Sequence, residues 1–87
     1  MNLNQGATYN WYIRKQMDKP NEDLEKAISQ WQDSTFAQKV AYFFNPFVDH
    51  EMRYNASRDI LEARTNPESD IANKINWKIE AYRKEKN

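Results

Sequence analysis

Apolar residues recur along the chain at helical rather than strand spacing. One stripe with the i, i+3, i+4, i+7 order of a helix face comprises Leu24, Ala27, Ile28 and Trp31. A wider apolar face on a shorter segment comprises Phe36, Ala37, Val40, Phe43 and Phe44. A third set, near the C-terminus, comprises Ile71, Ile75, Ile79 and Tyr82. Because no alternating run of β-branched residues competes with these stripes, the pattern predicts an all-α fold.

Prolines and acidic residues mark where the helices are expected to begin. Asn45-Pro46 and Asn66-Pro67 each have the form of an Asn N-cap followed by Pro at the first helical position. Pro20 precedes an acidic segment, which complements the dipole of a helix that starts there. The sequence therefore predicts one domain, 1–87, with residues 1–7 frayed and a small bundle of about five helices. Their predicted ranges are 8–17, 21–32, 35–44, 46–64 and 67–85.

The fourth predicted helix is apolar on two sides. At about 100° per residue, one side carries Val48, Met52, Ala56, Ile60 and Ala63. The opposite side carries Phe47, Tyr54 and Leu61. A helix of this kind is covered on both sides. The first side can pack on the fifth helix in a C-terminal antiparallel hairpin, 46–64 with 67–85, while the shorter N-terminal helices cover the second. The alternative is that one side forms the interface of a homodimer or of a complex with a partner.

Charge and composition exclude several classes of protein. Thirteen basic and thirteen acidic residues give a net charge of zero, which disfavours a polybasic nucleic-acid binder that depends on phosphate neutralisation. The lack of cysteine excludes disulfides and thiolate zinc sites. The first six residues show neither the basic nor the apolar region of a signal peptide. Because no apolar run approaches the ~20 residues of a membrane span, we expect a cytoplasmic protein without membrane contact.

The sequence contains no recognisable catalytic, metal or cofactor motif. Its single histidine, His50, lies between Asp49 and Glu51, and neighbouring side chains on a helix diverge around the axis and cannot converge on one ion. The single glycine, Gly6, excludes the glycine-rich loops that bind nucleotide phosphates. We therefore expect a protein that is not an enzyme and that has no catalytic residues, no cofactor and no metal.

Aromatic residues make up 14% of the chain, and several lie away from the main apolar face of their helix. Such Trp and Tyr residues commonly anchor protein interfaces, because they bury much area at little entropic cost; the alternative is that the chain termini fold back over them. The predicted protein-binding residues are Trp11, Tyr42, Phe47, Tyr54, Leu61 and Trp77. The leading hypothesis is a non-enzymatic regulator or inhibitor that binds another protein. Small antagonists carried by phages and mobile elements have this build.

The last helix suggests an alternative function, a nucleic-acid-binding regulator. Basic residues interleaved with Trp77 and Tyr82 can follow a phosphate backbone and stack on bases. These basic residues are Lys74, Lys78, Arg83, Lys84 and Lys86. Glu80 and Glu85 interrupt them, so a solvated helix face explains the same pattern.

Overall fold

The computed structural model describes residues 5–44 and 48–86, which form five helices. They are α1 (Gln5–Gln16), α2 (Asn21–Gln32), α3 (Phe36–Phe43), α4 (His50–Thr65) and α5 (Asp70–Lys86). These two ranges contain no strand, so the prediction of an all-α fold is confirmed. The radius of gyration is 13.4 Å, against about 12 Å expected for a compact domain of this length. The bundle is therefore compact but somewhat elongated.

The first and fourth helices begin at positions that differ from the predicted ones. α1 starts at Gln5, three residues before the expected start at residue 8, so residues 5–7 are helical, while residues 1–4 lie outside the described ranges. α4 starts at His50 instead of 46, because the Asp49 carboxylate accepts the backbone N–H of Met52 at 2.9 Å and caps the helix there. The predicted cap at Asn45-Pro46 lies outside the described residues.

The predicted start of the fifth helix at Asn66-Pro67 is wrong. The Asn66 backbone N–H still donates to the Glu62 carbonyl at 2.8 Å, which makes Asn66 the C-terminal cap of α4. A short turn follows, and Ser69 then caps α5 by accepting the Ala72 N–H at 3.0 Å. Because Ser69 supplies the N-terminal cap, α5 starts at Asp70, three residues later than expected.

α4 lies at the centre of the bundle and contacts α1, α2 and α5. Its buried stripe consists mostly of small side chains, namely Ala56, Ser57, Ile60 and Ala63. Small residues let neighbouring helices approach the α4 backbone closely. The partners that complete the core are Tyr12, Ile13, Met17, Leu24, Ala72, Ile75 and Ile79. The antiparallel arrangement of the α4 and α5 pair stays a prediction.

Two sets of polar contacts join the N-terminal helices to α4. Gln16 donates its amide N–H to the Ser57 hydroxyl at 2.9 Å, and both side chains are buried. The Arg64 guanidinium donates to the carbonyls of Met17 and Lys19 at 2.9 and 2.8 Å. Because the last carbonyls of a helix lack a partner within it, Arg64 satisfies the end of α1 and connects it to the C-terminal end of α4.

We expect Gly6→Ala to stabilise the fold by about 0.5 kcal/mol, because alanine has the higher helix propensity. A Cβ added at Gly6 meets no atom within 4 Å, so the substitution introduces no clash. The free energy of unfolding from urea titration measures the effect. The matched control is the exposed neighbour Ala7, since Ala7→Gly should destabilise by a similar amount. A loss of stability in Gly6→Ala would contradict the expectation.

Candidate functional site

The most exposed large apolar side chains of the described residues are concentrated on and next to α3. Phe36 and Phe43 are each 83% exposed, Phe44 is 74% exposed and Val40 is 40% exposed. At 100° per residue these four lie within about 100° of one another around the helix axis. No residue of α3 is buried. We call Phe36, Val40, Phe43 and Phe44 the α3 apolar surface.

The opposite side of α3 rests on the bundle through aromatic contacts. The Tyr42 ring stacks on the His50 ring with centroids 4.0 Å apart and an interplanar angle of 22°. Tyr42 also lies 6.2 Å from the Trp31 ring, centroid to centroid, and Lys39 Nζ lies 5.0 Å from that ring centroid. At about 100° per residue, Tyr42 lies roughly 100–160° around the axis from the three phenylalanines, which therefore face away from the bundle and are exposed.

The capping box at Thr35 fixes where α3 begins. The Thr35 hydroxyl accepts the Gln38 backbone N–H at 3.2 Å, and the Gln38 side chain accepts the Thr35 N–H at 2.9 Å. This reciprocal pair satisfies two backbone donors that a helix start leaves free. It holds a two-turn helix that makes few contacts with the rest of the bundle.

His50 supports Tyr42 in its neutral form. Arg53 Nη2 lies 3.1 Å from His50 Nδ1, and an arginine N–H can donate only to an unprotonated ring nitrogen. Burial and then the charge of Arg53 lower the pKa of His50 below its ordinary value of 6.5, while Asp49 opposes them. The stacked Tyr42 and His50 pair therefore contains a neutral imidazole at neutral pH.

The predicted protein-binding residues occupy different environments. Trp77 on α5 is 73% exposed, and Trp11 on α1 is 50% exposed, with Lys15 Nζ 5.1 Å from its ring centroid. Tyr42 is half-buried between α3 and the bundle. Tyr54 and Leu61 are also half-buried; Leu61 packs against the core, and the Tyr54 hydroxyl lies 3.4 Å from the Gln32 amide nitrogen of α2. Phe47 lies outside the described residues.

The basic residues of the nucleic-acid alternative are partly engaged within the molecule. Lys78 Nζ donates to the Asn10 side-chain oxygen at 2.9 Å, and Arg83 Nη2 lies 3.5 Å from the Asp18 carboxylate. Lys74 and Lys84 are exposed. Lys86 lies outside the described side chains. This arrangement of the basic residues does not test nucleic-acid binding, which stays a prediction.

Sequence reasoning missed the α3 apolar surface as a candidate site. An apolar stripe at helical spacing usually marks a buried face, and Phe36, Phe43 and Phe44 follow that spacing. The signal that could have identified them is size. An eight-residue helix with two phenylalanines, followed at once by a third, carries more apolar area than so short an element can bury against a bundle whose central helix already contacts three others.

Within residues 5–44 and 48–86, no group of three or more His, Asp or Glu side chains is arranged to hold a metal ion. In the same ranges, no helix combines the length and apolar character needed to cross a lipid bilayer.

Comparison of the chain with protein-family models, with curated proteins and with solved structures finds no match in any of the three.

We expect Phe43→Ala to change the free energy of unfolding by less than about 0.5 kcal/mol, because the side chain is exposed and has little packing to lose. Ile60→Ala, at a fully buried position of α4, should lose about 2–5 kcal/mol. Urea unfolding of both variants provides the comparison. A loss above about 2 kcal/mol for Phe43→Ala would mean that the phenylalanine is part of the core.

We expect the His50 imidazole to titrate below 6.5, because burial and Arg53 disfavour its protonated form. The unfolded chain then binds a proton at His50 before the folded chain does, so this residue's contribution to stability is complete above about pH 6.5 and is lost as the pH falls from there towards the folded pKa. Since His50 is the only histidine, its ring proton resonances can be followed unambiguously by NMR. A midpoint at or above 6.5 would contradict the environment described here.

Proposed function

We propose that this chain is a non-enzymatic regulator or inhibitor that binds another protein, and that the α3 apolar surface is its principal contact. The observation that supports this proposal is the exposure of Phe36, Phe43 and Phe44, each at 74% or more. At about 200 Å² per phenylalanine, they present about 500 Å² of aromatic surface. A patch of this size lies near the upper end of what monomeric soluble proteins expose, and such patches are commonly functional.

The spacing of these side chains fits a helix that binds in an apolar groove. Phe36, Val40 and Phe43 follow the i, i+4, i+7 order by which an amphipathic helix inserts its anchors into a partner. Lys39 is the only charged residue of α3 and faces Trp31. The partner is therefore a protein with an apolar, uncharged groove about two helical turns long.

The remaining helices act as the frame that holds this surface. We infer that α4 and α5 form the predicted antiparallel hairpin, with α1 and α2 packed against α4. A rigid frame lowers the entropic cost of binding, because only α3 and its phenylalanines have to be ordered in the complex. Trp77 and Trp11, which lie on α5 and α1 and are also exposed, can extend the contact or form a second one.

The test uses as baits two variants in which exposed aromatic residues are replaced by serine, one on α3 and one on α5. Immobilised wild-type chain, Phe36→Ser/Phe43→Ser and Trp77→Ser are exposed to a lysate of the encoding organism, and retained proteins are identified by mass spectrometry. We expect one protein to be retained by the wild type and by Trp77→Ser and lost from the double variant. With that protein purified, Phe43→Ser should weaken binding about thirtyfold, the effect of losing about 2 kcal/mol at an interface anchor.

Other outcomes would contradict the proposal. Retention by the double variant and loss by Trp77→Ser would assign the contact to α5 instead. A species of twice 10.5 kDa in sedimentation that Phe43→Ser converts to monomer would make a second copy the occupant of α3. Binding that falls steeply between about 50 and 200 mM salt would indicate phosphate contacts and the nucleic-acid alternative, whereas an apolar contact should barely respond.

A further inference from the structure

A groove separate from the α3 apolar surface lies between α1, α4 and α5. It is an open groove with a volume of about 520 Å³. The residues that line it are Gly6, Tyr9, Asn10, Met52, Asn55, Arg58, Asp59, Lys74 and Lys78. Since α3 contributes none of these lining residues, a ligand can bind here without contacting the α3 apolar surface.

The groove is positively charged although the chain is neutral overall. Arg58, Lys74 and Lys78 oppose a single lining carboxylate, Asp59, which leaves a balance of two positive charges among the described lining residues. Both carboxylate oxygens of Asp59 already have partners. One accepts the Tyr9 hydroxyl at 2.5 Å and the other lies 3.4 Å from Arg58 Nε. Asp59 is therefore directed towards Tyr9 and Arg58.

The two lysines of the groove lie on one face of α5. Lys74 and Lys78 are four residues apart on α5, a spacing that places their Cβ atoms about 6 Å apart on one face. Lys78 Nζ is held by the Asn10 side-chain oxygen at 2.9 Å and lies 5.0 Å from the Tyr9 ring centroid. Burial and then the charge of Lys74 lower the pKa of Lys78, while the carboxylate of Asp59 opposes them. An anion placed between the two ammonium groups would relieve their mutual repulsion.

We infer that this groove binds a phosphoryl group, with Lys74 and Lys78 as the charged ligands. Two flexible ammonium groups suit an oxyanion with several acceptor oxygens. The side-chain amides of Asn10 and Asn55, which also line the groove, supply neutral polar groups beside the charges. The phosphoryl group can belong to a small phosphate ester or to the phosphodiester backbone of a nucleic acid.

Inorganic pyrophosphate is the first probe, titrated into ¹⁵N-labelled protein at low ionic strength. We expect saturable shifts of the amide resonances near residues 10, 55, 74 and 78. Lys74→Ala, an exposed position where folding should be unaffected, should weaken binding at least about fivefold, the equivalent of about 1 kcal/mol. The matched control is Lys84→Ala, which removes the same charge from an exposed position of α5 outside the groove and should leave binding unchanged.

A short single-stranded oligonucleotide distinguishes the two sources of the phosphoryl group. If the oligonucleotide binds more tightly than pyrophosphate and Lys74→Ala reduces the salt dependence of its binding, the ligand is the phosphodiester backbone of a nucleic acid. If only pyrophosphate shows saturable binding, the ligand is a small phosphate ester. Equal weakening by Lys74→Ala and Lys84→Ala, or no saturation by either probe, would overturn the inference. Phe36→Ser/Phe43→Ser should leave pyrophosphate binding intact, so failure of the α3 proposal and failure of this one are separable.

Discussion

The fold depends on the narrow stripe of small side chains along α4. Ala56, Ser57 and Ala63 are buried and carry little bulk, so α1, α2 and α5 can all pack closely around this one helix. Hydrogen bonds from side chains in and next to this stripe also join α4 to α1 and the turn after it. Ser57 accepts from the buried Gln16, and Arg64, one residue beyond the stripe, donates to carbonyls at the end of α1. In a chain this short, a larger residue in the stripe would separate several helix pairs at once, because protein cores relax only partly around added volume.

Because α1, α2 and α5 already cover α4, the remaining helix, α3, is attached to the bundle in a different way. α3 has no buried residue and is positioned by Tyr42, whose ring stacks on His50 at the start of α4. Aromatic stacking of this kind contributes on the order of 1 kcal/mol, far less than the burial of a full helix face. The arrangement fixes the direction of α3 while leaving its phenylalanines exposed, which is the combination that a contact surface requires.

The molecule thus presents two surfaces of different chemistry on one frame. The α3 apolar surface is uncharged and would bind by excluding water, so its affinity should vary little with salt. The groove lined by Arg58, Lys74 and Lys78 is positively charged and would bind an anion, so its affinity should fall as salt screens the charges. Because the two surfaces share no lining residue, one can be altered without the other. The two proposals together describe a chain that would combine recognition of another protein with binding of a phosphorylated ligand.

The sequence by itself determined the all-α class and the faces of the helices, since both follow from spacing within a few residues. The predicted range 21–32 coincides with α2, where Pro20 and the acids after it act locally. Only the tertiary structure decided which faces are covered. Phe36 and Ile60 lie on equally regular stripes, yet Ile60 is fully buried and Phe36 is 83% exposed, because α1, α2 and α5 pack around α4 and leave the apolar face of α3 uncovered. The sequence pointed to Lys74 and Lys78 as phosphate-binding residues, but it could not pair Lys78 with Asn10 or Arg64 with Met17, since these partners are more than 40 residues apart in the chain. The periodicity of apolar residues depends only on nearby positions in the sequence. Which side chains are buried, and which distant side chains meet, depends on how all the helices pack together.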